Sequence, residues 1–387
     1  MKKILFVYTK MVVGGSTTSL LSILNNLDYD KYQVDLLLLD KSGDLQYLIN
    51  EKVNVLDIDL GVNPLRRFFH PMAILDRIRG EICFYHSNNR LIKAQFNSAH
   101  MANAMKSLNK EYDIAISFLE FWPLRYLATK INAAKKIAWI HIDPLEAGLK
   151  RNVSDRYLDV MDRIILVSNS CKNNFDQMFP KLKNKSIVIE NILDSSIIRK
   201  MSKEECSLSI DSTTINFVTV CRINIRSKAL DRVVKAFAKL REEGLDIEKR
   251  IRWYIIGDGP DLAEFENIVR KAEMNNIVML GKQLNPYKYE AKMDYFILPS
   301  KYEGKPMAVT EAQMLGVVPV VCKYSSAPEQ IQHMVDGYIA ENSDEGIIQP
   351  IRLIYEQKID HEKMKEQLLQ CDYSNLYVMN QITSLLD

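Results

Sequence analysis

The feature that most limits what this chain can fold into is an alternation of short apolar runs with amphipathic stretches along its whole length. The runs have the length and β-branched content of buried strands, and the stretches between them have helical spacing. The predicted strands are residues 4–8, 34–39, 53–58, 114–118, 136–141, 163–168, 215–221, 253–257, 277–281, 295–298 and 318–322. The predicted helices are residues 17–27, 102–108, 227–243, 262–272 and 307–315. Such alternation predicts parallel sheets with helices on both faces.

A polar stretch divides this alternation into two series. Residues 194–214 carry no strong strand pattern and are predicted to be a linker. A chain of 387 residues also exceeds one ordinary hydrophobic core. We therefore predict an α/β protein with two Rossmann-like, doubly wound domains, residues 1–193 and 194–374, that face an inter-domain cleft.

The composition excludes several classes of protein. A net charge of +2 gives little support to a nucleic-acid partner. The six cysteines contain no Cys-x-x-Cys pair, which favours reduced thiols over a zinc site or a disulfide framework. The apolar run 4–8 is too short for a signal peptide, and no segment approaches the roughly 20 apolar residues of a membrane span. We predict a cytoplasmic protein without a metal or a cofactor.

Residues 303–317 are the most informative stretch for function. They follow an apolar strand and predict a loop, a helix and the start of the next strand. Glu303 falls in the loop, Pro306 suits the first helical position, and Glu311 falls just over one turn into the helix. Ligands of open α/β sheets bind at the carboxyl ends of strands, where the free amides of residues 305–309 would face an anion. Two carboxylates beside an anion site suit a nucleotide-sugar.

Arg222 and Lys228 form a second candidate site. Arg222 leaves the end of the strand 215–221, and Lys228 is predicted to open the following helix. A guanidinium and an ammonium placed in this way can neutralise one pyrophosphate as it departs. The alternative is a surface arginine and lysine around an ordinary strand–helix turn.

Two glycine turns have both structural and functional interpretations. Gly14 and Gly15 lie between the first strand and a helix, where glycine lets the backbone approach a ligand. They do not form a G-x-G-x-x-G fingerprint or a P-loop, so a bare turn is an equal alternative. The turn at residues 257–260 is interpreted mainly as architecture, with a backbone that could line the cleft.

Two further patterns lie at strand ends. His141 ends the strand 136–141, so its ring could bond a sugar hydroxyl or could be a satisfied structural histidine. Asp57 and Asp59 have the spacing of a metal-binding pair, but no cluster of ligands surrounds them, and a strand terminus is the simpler interpretation.

The segment from residue 66 to residue 93 is basic and rich in aromatic residues. Six arginines and lysines stand against two acids, with phenylalanine, isoleucine, leucine and tyrosine between them. This composition predicts an interfacial segment that docks on anionic lipid headgroups. A loop and helix with a solvated basic face is the alternative. Docking would place the protein at the inner face of the membrane.

Together these residues resemble the retaining glycosyltransferases of family 4, which have the GT-B fold. The resemblance is close over residues 217–338 and loose in the N-terminal half. Its most specific part is the ordered match over residues 303–317, preceded by Leu-Pro-Ser at residues 298–300.

The resemblance implies roles for the residues of the second domain. Glu303 would contact the donor sugar near the reacting carbon, and Glu311 would hold the ribose hydroxyls. Arg222 and Lys228 would clamp the diphosphate. The backbone around the helix start would bind the donor as well, at Gly304, Lys305, Pro306 and Met307.

The resemblance also implies roles in the first domain. Gly14 and Gly15 would approach the diphosphate, and His141 would face the transferred sugar. The last helix, within residues 375–387, would cross back onto this domain. The sequence departs from the family where Cys221 and Ala229 replace the usual glycines, and where Lys305 replaces the common aromatic residue.

The resemblance therefore implies a retaining, metal-independent hexosyltransferase of cell-surface polysaccharide synthesis. Its donor substrate would be a nucleotide-sugar, with uridine as the default base, and its acceptor a saccharide or a lipid-linked saccharide. Two alternatives stay open at this point. One is a nucleotide-sugar epimerase of the same architecture, and the other is a non-catalytic GT-B partner subunit.

Overall fold

The structure is a computed structural model that describes residues 1–12, 14–57, 71–87, 90–149 and 151–387. The chain divides into two compact units. Unit 1 comprises Met1–Ile192 together with Tyr377–Asp387, and unit 2 comprises Leu193–Leu376. Each unit is built on a parallel sheet with helical connections, which confirms the predicted α/β class with two sheets.

Unit 1 has seven parallel strands in the order β3-β2-β1-β4-β5-β6-β7. The strands are β1 (Lys2–Tyr8), β2 (Tyr32–Leu38), β3 (Asn54–Val55), β4 (Glu111–Ser117), β5 (Asn132–Ile140), β6 (Arg163–Leu166) and β7 (Ser186–Val188). The helices are α1 (Gly15–Asn26), α2 (Pro71–Ser87), α3 (Arg90–Ala104), α4 (Trp122–Lys130), α5 (Arg151–Leu158), α6 (Asn169–Met178) and the C-terminal helix Val378–Leu386.

Unit 2 has six parallel strands in the order β10-β9-β8-β11-β12-β13. The strands are β8 (Ile215–Val220), β9 (Ile251–Ile256), β10 (Ile277–Gly281), β11 (Tyr295–Leu298), β12 (Val318–Cys322) and β13 (Tyr338–Ala340). The helices are α7 (Ser195–Ser202), α8 (Ile225–Lys228), α9 (Asp231–Glu242), α10 (Ile247–Arg250), α11 (Leu262–Lys271), α12 (Tyr287–Glu290), α13 (Met307–Met314), α14 (Ala327–Gln330), α15 (Ile348–Tyr355) and α16 (His361–Gln370).

The central strand of each sheet is apolar on both faces. In β1, residues 4–7 have no exposed surface, and β2 and β4 pair with it in parallel on its two sides. In β8, Phe217 and Val218 are equally buried, between β9 and β11. A strand that helices cover on both faces is a continuous apolar run, which is why these strands are recognisable in the sequence.

The strand order reverses in each sheet beside its first strand. The reversal lies between β1 and β4 in unit 1, and between β8 and β11 in unit 2. Open α/β sheets bind ligands outside the carboxyl ends of their strands at such a switch point. The segments that follow β8 and β11 are therefore the natural location for a site in unit 2.

The helix predicted at residues 102–108 is wrong in its bounds, because α3 occupies Arg90–Ala104. Its buried face is partly polar. Gln95 is fully buried and Ser98 nearly so, and the buried Arg125 donates to the Gln95 carbonyl and to the Ser98 hydroxyl. A helix that solvates a buried arginine lacks the apolar stripe that marks an ordinary amphipathic helix.

The other differences concern short elements. The predicted linker contains α7, and the strands β7 and β13 each have three residues, too few to show a pattern. The strand predicted at residues 53–58 comprises only Asn54–Val55, because residues 53, 56 and 57 are not in a strand; residue 58 lies outside the described residues.

Candidate active site

Lys228 and Glu303 form a salt bridge at the switch point of unit 2. Lys228 Nζ lies 2.5 Å from Glu303 Oε1, and Ser300 Oγ donates to the same oxygen at 2.6 Å. The two charged side chains are 21% and 12% exposed, so the pair is shielded but still reachable. Burial alone would lower the pKa of Lys228, but the carboxylate of Glu303 outweighs it and the pKa is raised. Lys228 is therefore a cation at neutral pH.

Two loops hold this ion pair in place. Asn224 caps α8, and its Oδ1 accepts from the Ser227 amide at 3.0 Å and from the Ser227 hydroxyl at 2.9 Å. The Lys301 amide, in the loop after β11, donates to the Ser227 carbonyl at 2.8 Å. The loop that carries Lys228 is thus bonded to the loop that carries Glu303.

The prediction that Lys228 opens the helix after β8 is wrong. Lys228 is the last residue of the one-turn helix α8. Ala229 then adopts a left-handed conformation with φ 50° and turns the chain toward α9, which begins at Asp231. This turn divides the predicted helix 227–243 into two helices.

Arg222 follows β8 on a loop that a glycine turn supports. Gly257 has φ 152°, and a Cβ at this position would lie 1.9 Å from the Cys221 carbonyl oxygen. The Ile223 amide donates to the Asp258 carbonyl at 2.9 Å. Only glycine allows so close an approach, so the architectural interpretation of this turn has a physical basis. Arg222 is exposed, and no residue in the described ranges pairs with its guanidinium.

Helix α13 begins at Met307, so the prediction that Pro306 is its first residue is wrong by one position. The first amides of a helix have no partner within it and can face an anion. The Val309 amide is not one of them, because it donates to the Pro306 carbonyl at 3.2 Å. The Met307 side chain is buried in an apolar cluster with Met314, so only the Met307 backbone can face a ligand. Gly304 is also buried, and Lys305 is partly exposed.

Glu311 lies in the second turn of α13 and is almost fully buried. The Tyr287 hydroxyl donates to Glu311 Oε1 at 3.2 Å. Burial raises the pKa of Glu311 to about 7, and the Tyr287 bond opposes this only in part. Ionised and neutral forms therefore coexist near neutral pH. The ionised form is a good acceptor for ligand hydroxyls.

A second buried carboxyl beside Glu311 was not predicted. Glu290 is the last residue of α12 and has no exposed surface. Burial, and then the charge of Glu311, raises its pKa well above the usual value, which favours the neutral acid. A glutamate in a four-residue helix shows no pattern that would mark it as buried. The Tyr287 side chain and the Ser300 hydroxyl were also not assigned roles from the sequence.

Gly14 and Gly15 lie where α1 of unit 1 begins. Gly14 is extended, with φ 162°, and a Cβ there would meet nothing within 4 Å, so packing does not require glycine at this position. Tyr8, at the end of β1, has its hydroxyl 2.7 Å from Ser16 Oγ and 3.0 Å from Thr17 Oγ1. The first turn of α1 is therefore tied to the end of the central strand.

His141 follows β5 in unit 1 and packs against two aromatic rings. Its ring centroid lies 4.8 Å from that of Phe118 in a tilted arrangement and 6.3 Å from that of Trp139 in a stacked one. Burial lowers its pKa to about 3, against the opposing effect of Asn191. His141 is therefore neutral at physiological pH. Its amide donates to Glu120 Oε2 at 3.2 Å, and burial raises the pKa of Glu120. Glu120, in the turn that follows β4, was also not identified from the sequence.

The predicted residues therefore fall into two groups. Unit 2 brings Lys228 into contact with Glu303 and places Arg222 and Glu311 in the segments that follow the same two neighbouring strands. Unit 1 holds Gly14, Gly15 and His141.

In the described parts of the chain, no group of three or more histidine, cysteine, aspartate or glutamate side chains is placed to hold a metal ion. Asp57 pairs instead with Lys41, which lowers the pKa of Asp57. Asp59 lies outside the described residues.

Comparison with known proteins finds a family match in unit 2. Residues 202–369, most of unit 2, match the family model described as glycosyl transferases group 1. This match confirms the predicted resemblance to glycosyltransferases.

Particular relatives can also be named. The uncharacterized glycosyltransferase MJ1059 of Methanocaldococcus jannaschii is 24% identical over 211 residues, which are 52% of this chain and 51% of that protein. The putative colanic acid biosynthesis glycosyltransferase WcaL of Salmonella typhimurium is 22% identical over 195 residues, 46% of this chain and 47% of that protein. The chain thus matches about half the length of these curated relatives.

Among solved structures, HepE of Anabaena in complex with UDP and glucose has a TM-score of 0.70 and 15% identity, over 100% of this chain and 99% of HepE. An identity this low shows the fold alone. That fold agrees with the predicted GT-B class.

Proposed function

We propose that this protein is a retaining, metal-independent hexosyltransferase that uses a nucleoside diphosphate sugar as donor. The acceptor is a saccharide or a lipid-linked saccharide of cell-surface polysaccharide synthesis. The observation that carries the proposal is the pair of Lys228 and Glu303 at the switch point of unit 2, inside the segment that matches the glycosyl transferase model. The complex of HepE with UDP and glucose supports uridine as the first base to test, and the name of WcaL supports the type of product.

The departing diphosphate gives a reason for the two cations, Arg222 and Lys228, at this site. When the bond between the sugar and the diphosphate breaks, negative charge grows on the departing phosphate oxygens. Lys228 is already charged. Arg222 precedes it by six residues, follows the end of β8 and is exposed. An arginine fork and an ammonium can stabilise this charge together. Each donor of this kind is worth roughly 2–4 kcal/mol of activation free energy.

The ion pair also suggests how the donor enters. Glu303 pairs with Lys228, and this pairing favours the charged ammonium. A bound diphosphate would take over the ammonium, and the Glu303 carboxylate could then accept hydrogen bonds from the hydroxyls of the donor sugar. Glu311, with its ionised form populated near neutral pH, would accept from the ribose hydroxyls. The loop backbone from Gly304 to Met307 would line the same donor.

Retention of configuration needs no protein nucleophile in this scheme. The acceptor hydroxyl attacks from the face that the diphosphate leaves. Its oxygen bonds to the anomeric carbon, the bond from that carbon to the phosphate oxygen breaks, and the acceptor proton passes to the departing phosphate. A transition state with oxocarbenium character is expected, as in glycosidases.

Unit 1 would bind the acceptor. His141 is neutral and can exchange hydrogen bonds with a sugar hydroxyl without adding charge.

We also propose that the protein binds a membrane surface, and the helix that supports this is α2. Its residues Ile74, Leu75, Ile78, Ile82 and Tyr85 fall on one side of the helix and are between 46% and 86% exposed. The opposite side packs on α3, because a Cβ at residue 80 would lie 3.2 Å from Phe96.

An exposed apolar stripe on a helix that also carries arginines 77 and 79 suits an anionic lipid surface. Residues 66–70, which contribute two more arginines and two phenylalanines to the predicted segment, lie outside the described residues, as do residues 88 and 89. No helix in the described part of the chain is long and apolar enough to cross a bilayer.

A donor panel tests the function. UDP-, GDP-, ADP- and dTDP-sugars are added singly while the thermal midpoint is measured, because a true donor stabilises the protein by RT ln(1 + [L]/Kd). The stabilising sugar is then incubated with the protein, with and without excess chelator. Release of nucleoside diphosphate that survives the chelator supports the proposal. Formation of an epimer would establish an epimerase, and a panel without any stabilisation would leave the protein without a donor and refute the proposal.

A further inference from the structure

Glu290 is a buried acid without a hydrogen-bond partner. It has no exposed surface, and neither of its carboxyl oxygens bonds to any residue that the structure describes. A buried polar group in this state lowers stability, so native proteins rarely retain one without a reason. One such reason is a partner that is correctly placed only in another state of the protein.

The available partner is Glu311. Tyr287 and Glu290 are the first and last residues of the single-turn helix α12, and the Tyr287 hydroxyl already bonds Glu311 Oε1. Glu290 lies close enough to Glu311 for the charge of Glu311 to raise the pKa of Glu290. The two acids and the tyrosine therefore form one buried cluster.

We propose that Glu290 is a positioning residue of the nucleotide site. As a neutral acid it donates its O–H to the Glu311 carboxylate when a nucleoside diphosphate binds, and so fixes that carboxylate to accept the ribose hydroxyls. This inference rests on the proposed function of the same site. No covalent bond breaks in this step, and the proton stays on Glu290.

The chemistry of the cluster favours a neutral acid at residue 290. An ionised carboxylate would repel Glu311, and an apolar side chain could not orient it. A neutral carboxyl is a strong donor to a carboxylate, and burial keeps it neutral. The Tyr287 hydroxyl already donates to Glu311 Oε1. A second hydrogen bond, from Glu290, would hold the Glu311 carboxylate in one orientation toward the ligand.

A purely structural role for Glu290 makes a different prediction. If the carboxyl only fills space, Glu290→Met should bind ligands as the wild type does, because it replaces an unpartnered acid by an apolar group of similar length. If the carboxyl instead stabilises the fold, the same change should lower the thermal midpoint and weaken all ligands together.

Calorimetric titrations of the full-length chain with UDP and with inorganic pyrophosphate separate these cases. We expect Glu290→Met to weaken UDP binding about 10-fold, the effect of one hydrogen bond to a charged group. Pyrophosphate binding should stay at the wild-type value, and the thermal midpoint should not fall, because the variant removes an unpartnered buried carboxyl. Glu290→Gln retains a neutral donor and should keep UDP affinity within about 3-fold of the wild type. Wild-type UDP affinity in Glu290→Met, or a parallel loss for UDP and pyrophosphate, would overturn the inference.

A double substitution tests the route through Glu311. In a Glu311→Gln background, Glu290→Met should add little further loss, because the carboxylate that it orients is absent. A full additional 10-fold loss would show that Glu290 does not act through Glu311.

A second variant covers the case in which Glu290→Met does not fold. Glu290→Asp withdraws the carboxyl by one methylene and should weaken the binding of UDP but not that of pyrophosphate. If the wild type binds pyrophosphate but no nucleoside diphosphate, both the proposed function and this inference are refuted. If the wild type binds UDP, and Glu290→Met and Glu290→Asp bind it equally well, only the inference is overturned.

Discussion

Lys228 contacts Glu303 directly, and this contact determines how the site would respond to substitution. The ammonium is shielded from water on most sides, yet its charge is maintained because the carboxylate lies 2.5 Å away. A ligand that brings two phosphates competes for an ammonium that is already desolvated. Electrostatic interactions are stronger in such a setting than in water, since fewer solvent dipoles screen them.

We expect Lys228→Ala to lower kcat by about 10²- to 10³-fold, the usual effect of removing one preorganised donor from a developing anion. Stability should fall only modestly, because Ser300 still donates to Glu303. Lys235→Ala is the matched control, because Lys235 also bridges carboxylates, those of Asp231 and Asp344, but is 56% exposed. Steady-state kinetics and thermal melts of both variants decide the matter. Equal turnover in the two variants would remove Lys228 from the mechanism.

The pKa of Glu311 predicts how donor affinity depends on pH. Ribose hydroxyls bond best to the ionised carboxylate, and burial raises the pKa of Glu311 from 4.5 to about 7. Affinity for UDP should therefore be complete above pH 7 and should fall as pH drops through it, approaching tenfold per unit at lower pH. In Glu311→Gln the part of this dependence that comes from residue 311 should disappear, leaving that of the UDP phosphate, whose second pKa is about 6, and the affinity should be lower at alkaline pH. Calorimetry from pH 5.5 to 8.5 measures both, and a wild-type profile that matches the variant would exclude this role.

At the scale of elements, the site depends on how closely the strand ends approach one another. The turn after β9 lies against the loop after β8, and Gly257 and Gly259 are the points of contact. A Cβ on Gly259 would lie 2.1 Å from the Ile223 carbonyl oxygen. The position of Arg222 is thus set by backbone packing between two neighbouring strands.

Gly257→Ala should destabilise unit 2 by about 3 kcal/mol and displace the loop of Arg222, because the new Cβ collides with backbone and the φ angle is strained. Gly244→Ala is the control. Gly244 also has a positive φ, 91°, but a Cβ there would meet nothing within 4 Å, so only backbone strain of about 1 kcal/mol is expected. Urea unfolding compares the two. A smaller loss for Gly257→Ala than for Gly244→Ala would contradict the close approach of the two loops.

The exposed stripe of α2 predicts binding to membranes. The double substitution Ile78→Ser with Ile82→Ser should abolish sedimentation with vesicles that contain phosphatidylglycerol and leave UDP affinity unchanged. Val160→Ser is the control, because Val160 is an equally exposed apolar residue of unit 1 outside α2. Wild-type protein should bind vesicles of phosphatidylcholine alone far more weakly. Undiminished sedimentation of the double variant would show that α2 does not face lipid.

In unit 2, sequence patterns predicted several strands correctly but did not predict where one helix is divided. The bounds of β10, β11 and β12 agree with the sequence prediction residue for residue, because these strands are buried apolar runs between polar turns. The division of the predicted helix 227–243 was not foreseeable. A left-handed alanine at residue 229 has no sequence signature, because a positive φ is uncommon for residues other than glycine.

The same contrast applies to the candidate site. Glu303 and Lys228 were selected from the sequence because each follows a recognisable strand, and the structure places them in contact. Glu290 and Glu120 were missed, because burial of an acid depends on the tertiary fold and leaves no periodic pattern.

At the scale of the whole molecule, the chain has two units of related topology. In both, the sheet starts in its middle, proceeds to one edge, and returns to the other side of the first strand. The predicted domain boundary after residue 193 lies one residue from the division at Leu193, and the C-terminal helix belongs to unit 1. We propose that this repetition separates two tasks, with the donor in unit 2 and the acceptor in unit 1.

The central claim is that unit 2 holds the diphosphate of a nucleotide-sugar with Arg222 and Lys228, and titration with UDP and with uridine tests it most directly. The double variant Arg222→Ala with Lys228→Ala should lose about 100-fold or more of the wild-type affinity for UDP, because two charge-assisted contacts to phosphate are removed. Its affinity for uridine, which has no phosphate, should be unchanged. Undiminished UDP affinity in this variant, or equal losses for UDP and uridine, would contradict the account.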